Sequence, residues 1–340
     1  GGDFYDIIRQ NNKLIMYVSD VTGHGLDAAM MSSFIKSTIN SYVAAVPLTE
    51  ISLSQIVRFL AQQFLKEDYP EDYFICLALV VLDIDTGQVD YTELGLQDPL
   101  LYYNGGKSCQ SLINRSLPIS PVLNINEIEF EEKSITLNRG DILIFNTDGI
   151  TEQRQGGKYY LKRFKEVCGQ VAELPPTVIS QKIIDDFYDF NANSYQADDD
   201  ITYLILQAKP EDRKEFSFEL ESNTNEINRL RRKLEDILPS TTDGDMALMG
   251  IHELVVNAIE HGNNFNKTKR VCIELILTGD YIYTSIEDEG DGFDWKQLVK
   301  SEFDLENDSE RGRGIMMASR GCDYIFYNNR GNKAFLLKYR

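Results

Sequence analysis

Four aspartates mark the places where apolar, strand-like segments of the chain begin or end. They are Asp3, Asp20, Asp148 and either Asp199 or Asp200. Taken singly, each would be an ordinary turn or capping residue. Gathered together, carboxylates without a histidine or cysteine cluster are hard oxygen ligands that suit Mg²⁺ or Mn²⁺. Two such ions can bridge a water, lower its pKa and hold a phosphoryl group for in-line attack.

A second group of polar residues lies on a predicted helix, 245–261, in the last third of the chain. Glu253, Asn257 and His261 follow one another at intervals of four residues, which stacks them on one face, away from the apolar stripe. A solvated polar face is the plain alternative. Asn257 argues against it, because asparagine is a poor residue for a helix interior and gains nothing there from exposure.

Two glycine-rich turns follow this helix and would complement it as a nucleotide site. In the segment 288–294, Gly290 and Gly292 leave room for a planar ring, and the Asp288 carboxylate can accept a hydrogen bond from an exocyclic amine. The segment 311–315 opens a further predicted helix. Backbone N–H groups at a helix start can bind phosphates, and arginine adds charge. The residues concerned are Gly312, Arg313 and Gly314.

Strand-like segments and helical pairs divide the first two thirds of the chain. The predicted strands are 4–8, 14–19, 73–84, 89–94, 128–135, 142–146 and 201–206. The predicted helices are 26–46, 53–65, 161–171 and 176–190. Strand pairs with helical pairs between them indicate an α+β fold, in which a β-sandwich is flanked by helices.

A charged segment, 209–214, contains one proline and no apolar residue, which makes it the best linker candidate. Beyond it the pattern restarts as a small α/β sandwich. Its predicted elements are strands 215–220, 271–278 and 281–287, helices 223–238, 245–261 and 314–319, and two closing strands. We therefore predict one domain at 1–208, a linker at 209–215 and a second domain at 216–340.

Length and charge limit the classes of protein to which the chain could belong. Its 340 residues, 42% of them hydrophobic, suffice for two folded domains. A formal charge of −20 argues against nucleic-acid and anionic-membrane partners, because both select basic surfaces. Five scattered cysteines fit reduced thiols in the cytoplasm. The chain starts without a methionine, so we expect the first domain to be cut at its N-terminal edge.

The first set of motifs resembles the bacterial PPM-type serine/threonine phosphatases of the RsbU and SpoIIE group. GGDFYD (1–6), SDVTGHG (19–25), NTDGITE (146–152) and DDDITYL (198–204) occur in the order of that family and cover about residues 1–208. The resemblance implies two Mn²⁺ or Mg²⁺ ions. Their implied ligands are Asp3, Asp20, the Val21 carbonyl, Asp148 and Asp199. Asp199 is preferred over Asp200 because it begins the DDIT segment. His24 would donate a proton to the leaving serine oxygen, unless it is a structural residue of its turn.

The second set resembles the GHKL ATP-binding fold, in particular the RsbW and SpoIIAB anti-sigma serine kinases. Its motifs are HELVVNAIEHGN (252–263), DEGDGFD (288–294) and GRGI (312–315). The resemblance implies ATP with Mg²⁺, with Glu253 as general base for a substrate serine, Asn257 as Mg²⁺ ligand and Asp288 as the residue that recognises adenine. The implied nucleotide-lining residues are Gly290, Gly292, Gly312, Arg313 and Gly314, and 295–311 would form a lid.

Together the resemblances imply a bifunctional bacterial partner-switching regulator. Its phosphatase would remove phosphate from a serine of a STAS-type anti-anti-sigma protein, and its serine kinase would restore it. Two alternatives stay open: an active phosphatase joined to a non-catalytic ATP-binding anti-sigma or adaptor module, and a metal-bound scaffold. A sigma factor is a further candidate partner. The family permits a homodimer, although the sequence has no coiled-coil heptads to specify one.

Overall fold

The computed structural model of the protein divides the chain into two compact units, Gly1–Lys209 and Pro210–Arg340. The structure describes residues 2–22, 25–47, 51–67, 69–105, 108–112, 116–122, 130–192, 194, 196–209, 212–295 and 321–340. Within these ranges, no helix combines the length and the hydrophobicity needed to cross a membrane.

The larger unit is built on two antiparallel sheets. Its strands are β1 Phe4–Gln10, β2 Lys13–Val21, β3 Ile75–Asp83, β4 Gln88–Leu94, β5 Leu100–Asn104, β6 Ser108–Ser111, β7 Lys133–Thr136, β8 Ile142–Asn146, β9 Arg154–Gln155, β10 Lys158–Tyr159 and β11 Tyr203–Gln207. The first sheet has the order β1-β2-β3-β4-β7 and the second the order β11-β8-β5-β6, while β9 and β10 pair as a short hairpin.

Helices cover the outer face of each sheet. They are α1 Leu26–Ala45 and α2 Leu53–Phe64 on the first sheet, α4 Leu161–Val171 and α5 Pro176–Phe190 on the second, and the single turn α3 Asp148–Thr151 after β8. One apolar cluster fills the space between α1, α2 and the first sheet, and another lies between the two sheets. β3 is therefore buried on both faces along nearly its whole length. This arrangement is the α+β sandwich that the sequence predicts.

Element boundaries follow the apolar pattern where that pattern is long. The predicted helices 161–171 and 176–190 coincide with α4 and α5. β5 and β6 are not predicted, because each is a short strand whose apolar residues do not alternate over enough positions to give a periodic signal. The strand predicted at 128–135 starts later in the structure, within the described residues, than the sequence predicts. β7 begins at Lys133, and residues 123–129 lie outside the described ranges.

The smaller unit is one antiparallel sheet with two helices packed on its inner face. Its elements are β12 Lys214–Glu221, α6 Thr224–Ile237, α7 Thr242–Asn257, β13 Arg270–Leu277, β14 Tyr281–Asp288, β15 Tyr324–Tyr327 and β16 Lys333–Tyr339. The sheet order is β12-β13-β14-β16-β15, and a single apolar core joins it to α6 and α7. β12 begins at Lys214, so its first two residues belong to the segment predicted as a linker.

The helix predicted at 245–261 is α7 followed by a π-helical turn, Ala258–Gly262. α7 begins earlier than predicted because the Thr241 hydroxyl caps it, accepting a hydrogen bond from a backbone N–H at 3.2 Å. Directly after the π-helical turn, the Asn263 side chain accepts a hydrogen bond from the Glu289 N–H at 2.9 Å. The end of the helix is thereby fixed to the glycine-rich turn that follows β14.

Candidate metal centre and nucleotide site

The tight turn between β1 and β2 brings the first two predicted metal ligands together. Asn11 and Asn12 form this turn, and Asn11 has a positive φ of 54°. The antiparallel register of the strands then places Asp3 opposite Asp20 at their open end. Val21, whose carbonyl is the predicted neutral ligand, is the last residue of β2 and is buried.

The other pair of predicted ligands comes together at the end of the second sheet. β8 and β11 are antiparallel neighbours, and Asp148 follows β8 while Asp199 precedes β11. The two segments approach so closely that a Cβ atom on Gly149 would lie 1.8 Å from the Asp200 carbonyl oxygen. Only glycine fits at that position, which explains why the motif pairs an aspartate with a glycine.

Thr147 connects the two pairs. Its hydroxyl donates a hydrogen bond to an Asp3 carboxylate oxygen at 2.6 Å and accepts one from the Thr202 N–H at 3.2 Å. Its own N–H donates to the Thr202 carbonyl at 3.0 Å, and the residue is fully buried. Aspartates from four distant parts of the sequence therefore surround one region, at adjoining ends of the two sheets.

Burial and mutual repulsion raise the pKa of these carboxyls. Desolvation is the largest cause, and it raises the pKa of Asp3 to about 6 and that of Asp20 to about 7, from 3.8. The pKa of Asp148 is raised by burial and then by nearby carboxylates. The charge of Asp199 raises the pKa of both Asp20 and Asp148, and the charge of Asp200 raises that of Asp3. A divalent cation would relieve this repulsion.

The chemistry of the donor set fits a hard divalent cation, but the carboxylates are not arranged as a coordination sphere. Over the part of the chain that the structure describes, no group of three or more His, Cys, Asp or Glu side chains is positioned to hold a metal ion. His24, the predicted proton donor, lies outside the described residues. The structure thus brings the predicted ligands into one region. Within the described residues, however, their carboxylates do not surround a position where a metal ion could be coordinated.

Gln153 fixes the acidic loop before β11, although no sequence motif singles it out. Its amide nitrogen donates to an Asp198 carboxylate oxygen at 2.9 Å, and its amide oxygen accepts from the Asp198 N–H at 2.9 Å. The residue is only 3% exposed. Because Asp198 directly precedes Asp199, this double contact orients the loop that presents the predicted ligand. The signal in the sequence is its position, one residue after NTDGITE.

In the smaller unit, three of the predicted nucleotide residues line one pocket: Asn257, Asp288 and Gly292. The Asn257 amide nitrogen is buried and has no hydrogen-bond partner among the described residues. This N–H₂ group is a hydrogen-bond donor left without an acceptor at the pocket lining, whereas Mg²⁺ would be bound by the amide oxygen of the same side chain. Glu253 lies one helical turn before Asn257 and is half-buried, outside the lining of the pocket.

Close packing of a glycine against the predicted adenine-binding carboxylate shapes this pocket. A Cβ atom on Gly262, at the end of the π-helical turn, would lie 2.4 Å from the Asp288 carboxyl carbon. The Gly290 N–H donates to the same carboxylate at 2.8 Å. Asp288 is thus oriented by backbone on two sides, and a side chain at position 262 would displace it.

The turn between β15 and β16 supports the glycine-rich loop, and the sequence motifs do not indicate this role. The Phe293 N–H donates to the Arg330 carbonyl at 3.1 Å, and the Arg330 guanidinium donates to the Gly290 carbonyl at 3.0 Å. The Trp295 indole N–H donates to the Asn328 carbonyl at 3.1 Å. The predicted phosphate-binding residues Gly312, Arg313 and Gly314 lie outside the described ranges.

The first unit is thus a two-sheet α+β sandwich with acidic strand ends, and the second is a one-sheet unit with a glycine-shaped pocket. A family model for Stage II sporulation protein E (SpoIIE) matches residues 10–209, and a model for a histidine kinase-like ATPase domain matches residues 220–338. The chain belongs to the SpoIIE family through its first unit. These matches confirm both resemblances that the sequence predicts.

Individual relatives share these folds at low sequence identity. Phosphoserine phosphatase RsbU of Bacillus subtilis is 23% identical over 211 residues, which are 61% of this chain and 59% of RsbU, so the chain spans less than two thirds of that relative. The structure of the RsbU and RsbW domains of Rv1364c from Mycobacterium tuberculosis is similar to this chain, with a TM-score of 0.51 and 19% identity. The match extends over 100% of this chain and 88% of the Rv1364c chain. The SiaA-PP2C domain of Pseudomonas aeruginosa is similar with a TM-score of 0.53 and 20% identity. The match extends over 61% of this chain and 80% of the SiaA chain.

Without metal, stability should depend on pH through the buried aspartates. Because the pKa of Asp3 and of Asp20 is raised on folding, the folded protein keeps protons that the unfolded chain releases above about pH 4. The stabilisation of the folded state is complete below about pH 4. It is lost as the pH rises through about 6 and about 7, the raised pKa values of Asp3 and Asp20. In EDTA, we expect the melting temperature to fall from about pH 5 to about pH 8 more steeply in the wild type than in Asp20→Asn, which has no such proton to lose.

Mn²⁺ should reverse this trend, because metal ligands must be deprotonated. We expect added Mn²⁺ to raise the melting temperature more at about pH 8 than at about pH 5, and less in Asp20→Asn than in the wild type at either pH. Identical pH slopes for the two proteins in EDTA would contradict the pKa assignment for Asp20.

Replacing Gln153 should weaken metal binding although Gln153 is not a predicted ligand. Gln153→Met keeps the size of the side chain but removes both hydrogen bonds to Asp198, so the loop that carries Asp199 loses its orientation. Outer-shell changes of this kind cost roughly tenfold or more in metal affinity, which isothermal titration with Mn²⁺ would measure. Gln155→Met, at an exposed position on β9, is the matched control. Equal Mn²⁺ affinity in the two variants would remove the case for Gln153 as a positioning residue.

Proposed function

We propose that the first unit is a metal-dependent phosphatase that hydrolyses phosphoserine on a protein. The observation that supports this most is the convergence of carboxylates at adjoining sheet ends, joined through Thr147. Membership of the SpoIIE family and the activity in the name of RsbU point the same way. The proposed ligands are Asp3, Asp20, Val21, Asp148 and Asp199. We prefer Asp199 over Asp200 because its charge acts on both Asp20 and Asp148.

When bound, two Mn²⁺ or Mg²⁺ ions would supply an activated water and neutralise charge on the phosphoryl oxygens. The carboxylates orient the centre, and no protein nucleophile is required. In this proposal His24 gives a proton to the departing serine oxygen. Cys76, opposite Asp20 in the sheet, does not act as a nucleophile, because burial and the charges of Asp20 and Asp148 raise the pKa of its thiol to about 12.

For the second unit, we propose an ATP–Mg²⁺ site that transfers phosphate to a serine. Asn257 would bind Mg²⁺, Asp288 would recognise adenine, and Glu253 would accept the proton of the serine hydroxyl. The glycine-shaped pocket supports nucleotide binding. Glu253 stands outside its lining, and this favours keeping a second candidate, an ATP-binding anti-sigma or adaptor module without transfer.

The two activities would act in opposite directions on one partner. We propose a STAS-type anti-anti-sigma protein as the shared substrate, because Rv1364c also joins an RsbU and an RsbW domain in one protein. A sigma factor bound by the second unit, and a homodimer of the chain, are further parts of this proposal. The acidic charge of the chain supports a protein substrate over a nucleic acid.

Neutralising a predicted metal ligand should abolish hydrolysis. We expect Asp20→Asn and Asp148→Asn each to reduce Mn²⁺-dependent release of phosphate from p-nitrophenyl phosphate and from a phosphoserine protein by about a thousandfold, since metal activation is worth several kcal/mol. Asp85→Asn, in the exposed turn after β3, is the control and should retain full activity. Wild-type protein that releases no phosphate from either substrate, with Mn²⁺ or Mg²⁺, would disprove the phosphatase.

Replacing Glu253 distinguishes the proposal of a serine kinase from that of a non-catalytic adaptor. Glu253→Gln should keep the affinity for ATP but lose transfer of labelled phosphate to a serine of the STAS-type protein, by about a hundredfold or more if Glu253 is the base. Asp288→Asn should weaken ATP binding itself. Glu235→Gln, on the exposed face of α6, is the control. ATP binding by the wild type without transfer to any serine would support the adaptor instead.

A further inference from the structure

The first unit contains a basic hairpin that lies close in sequence to the predicted metal ligand Asp148. β9 and β10 follow α3, whose first residue is Asp148, and residues 154–159 are called the basic hairpin below. From position 153 to 165 the chain has five basic residues and no acidic one, in a protein with 34 basic and 54 acidic residues. These five are Arg154, Lys158, Lys162, Arg163 and Lys165.

Of these five basic residues, the two on the hairpin have no carboxylate partner in the part of the chain that the structure describes. The three basic residues on α4 each form an ion pair, at 2.7 to 3.8 Å. Arg154 and Lys158 are exposed, and neither forms an ion pair with any residue in the described ranges. Two positive charges without an ion pair in the described ranges, on a chain of charge −20, can attract an anion locally.

The hairpin is fixed at its base. The Gln153 carbonyl accepts a hydrogen bond from the Tyr160 N–H at 2.9 Å, and the Gln153 side chain is bonded to Asp198 as described above. Tyr160 is fully buried. Gly156 and Gly157, with φ of 57° and 78°, make the two-residue turn that tight hairpins favour. The base of the hairpin is therefore fixed to the acidic loop that contains Asp198 and Asp199.

Two side chains on the hairpin are ordered against each other. The Arg154 guanidinium lies 4.3 Å from the centroid of the Tyr159 ring and donates a hydrogen bond to the Tyr159 hydroxyl. Tyr159 is 49% exposed. Arginine and tyrosine are the residues most often found at binding hot spots, and a pair that is already ordered loses little conformational entropy on binding.

We propose that the basic hairpin docks an acidic segment adjoining the phosphoserine of the protein substrate. The proposal rests on the proposed phosphatase and specifies the kind of substrate that it selects. The net charge of −20 on the chain would repel such a segment, so Arg154 and Lys158 provide the local attraction and the steering. Catalysis itself does not use the hairpin.

Two matched phosphoserine peptides test this selection, one with aspartate and glutamate beside the phosphoserine and one with asparagine and glutamine in their place. Binding is followed by fluorescence anisotropy, and hydrolysis by phosphate release with Mn²⁺. We expect Lys158→Glu and Arg154→Ala to weaken binding of the acidic peptide and raise its KM by roughly fivefold, with kcat unchanged. Hydrolysis of p-nitrophenyl phosphate and binding of the neutral peptide should stay at wild-type values.

Lys162→Ala is the matched control, because Lys162 is an exposed basic residue of the same segment that pairs with Glu166. It should behave as the wild type with both peptides. The preference of the wild type for the acidic peptide should also disappear at high salt, since exposed charge pairs are screened.

The outcomes separate the docking proposal from the phosphatase proposal. Equal binding of the two peptides by the wild type, or unchanged binding of the acidic peptide by Lys158→Glu, would overturn docking even where p-nitrophenyl phosphate is hydrolysed. Loss of p-nitrophenyl phosphate hydrolysis in the hairpin variants would also overturn it, by placing these residues in the catalytic centre. Hairpin-dependent binding of the acidic peptide without hydrolysis of any substrate would support docking and disprove the phosphatase.

Discussion

Repulsion among partly buried carboxylates is the constraint on which the larger unit depends. Asp3, Asp20 and Asp148 have raised pKa values because water is excluded and like charges are close. They stay together because each belongs to backbone that is held elsewhere, by the β1–β2 ladder, by the approach of β8 to β11, and by the hydrogen bond from Thr147 to Asp3. The two apolar clusters supply the burial that stabilises this arrangement.

In the smaller unit, a single carboxylate is positioned at the nucleotide pocket. This carboxylate, Asp288, lines the pocket, and the Gly290 N–H and the close approach of Gly262 help to fix its direction. The π-helical turn brings Gly262 against that carboxylate, and Asn263 then joins the turn to the loop after β14. The β15–β16 turn supports the same loop from the far side. Main-chain contacts therefore hold together the segments that line the pocket.

Prediction from the sequence succeeded where the pattern that indicates an element or motif lies within neighbouring residues. The helices α4 and α5 and the order of the two motif sets follow from residue types and spacing, and the family comparison agrees. It did not find β5, the π-helical turn or the role of Gln153. Each of these depends on a partner far away in the chain: β8 beside β5, the Asp288 carboxylate against Gly262, and Asp198 against Gln153. Within the DDD triplet, only the match to the DDIT segment favours Asp199 over Asp200.

The register of the β1–β2 ladder has a consequence for how related sequences can diverge. Side chains alternate between the two faces of a strand, so one residue inserted within β1 would turn Asp3, and one inserted within β2 would turn Asp20, to the opposite face of the sheet. Two inserted residues would restore the direction, and a single one could be absorbed only as a bulge. The lengths of β1 and β2 should therefore vary among homologues in steps of two, while the turn between them can change by any number of residues.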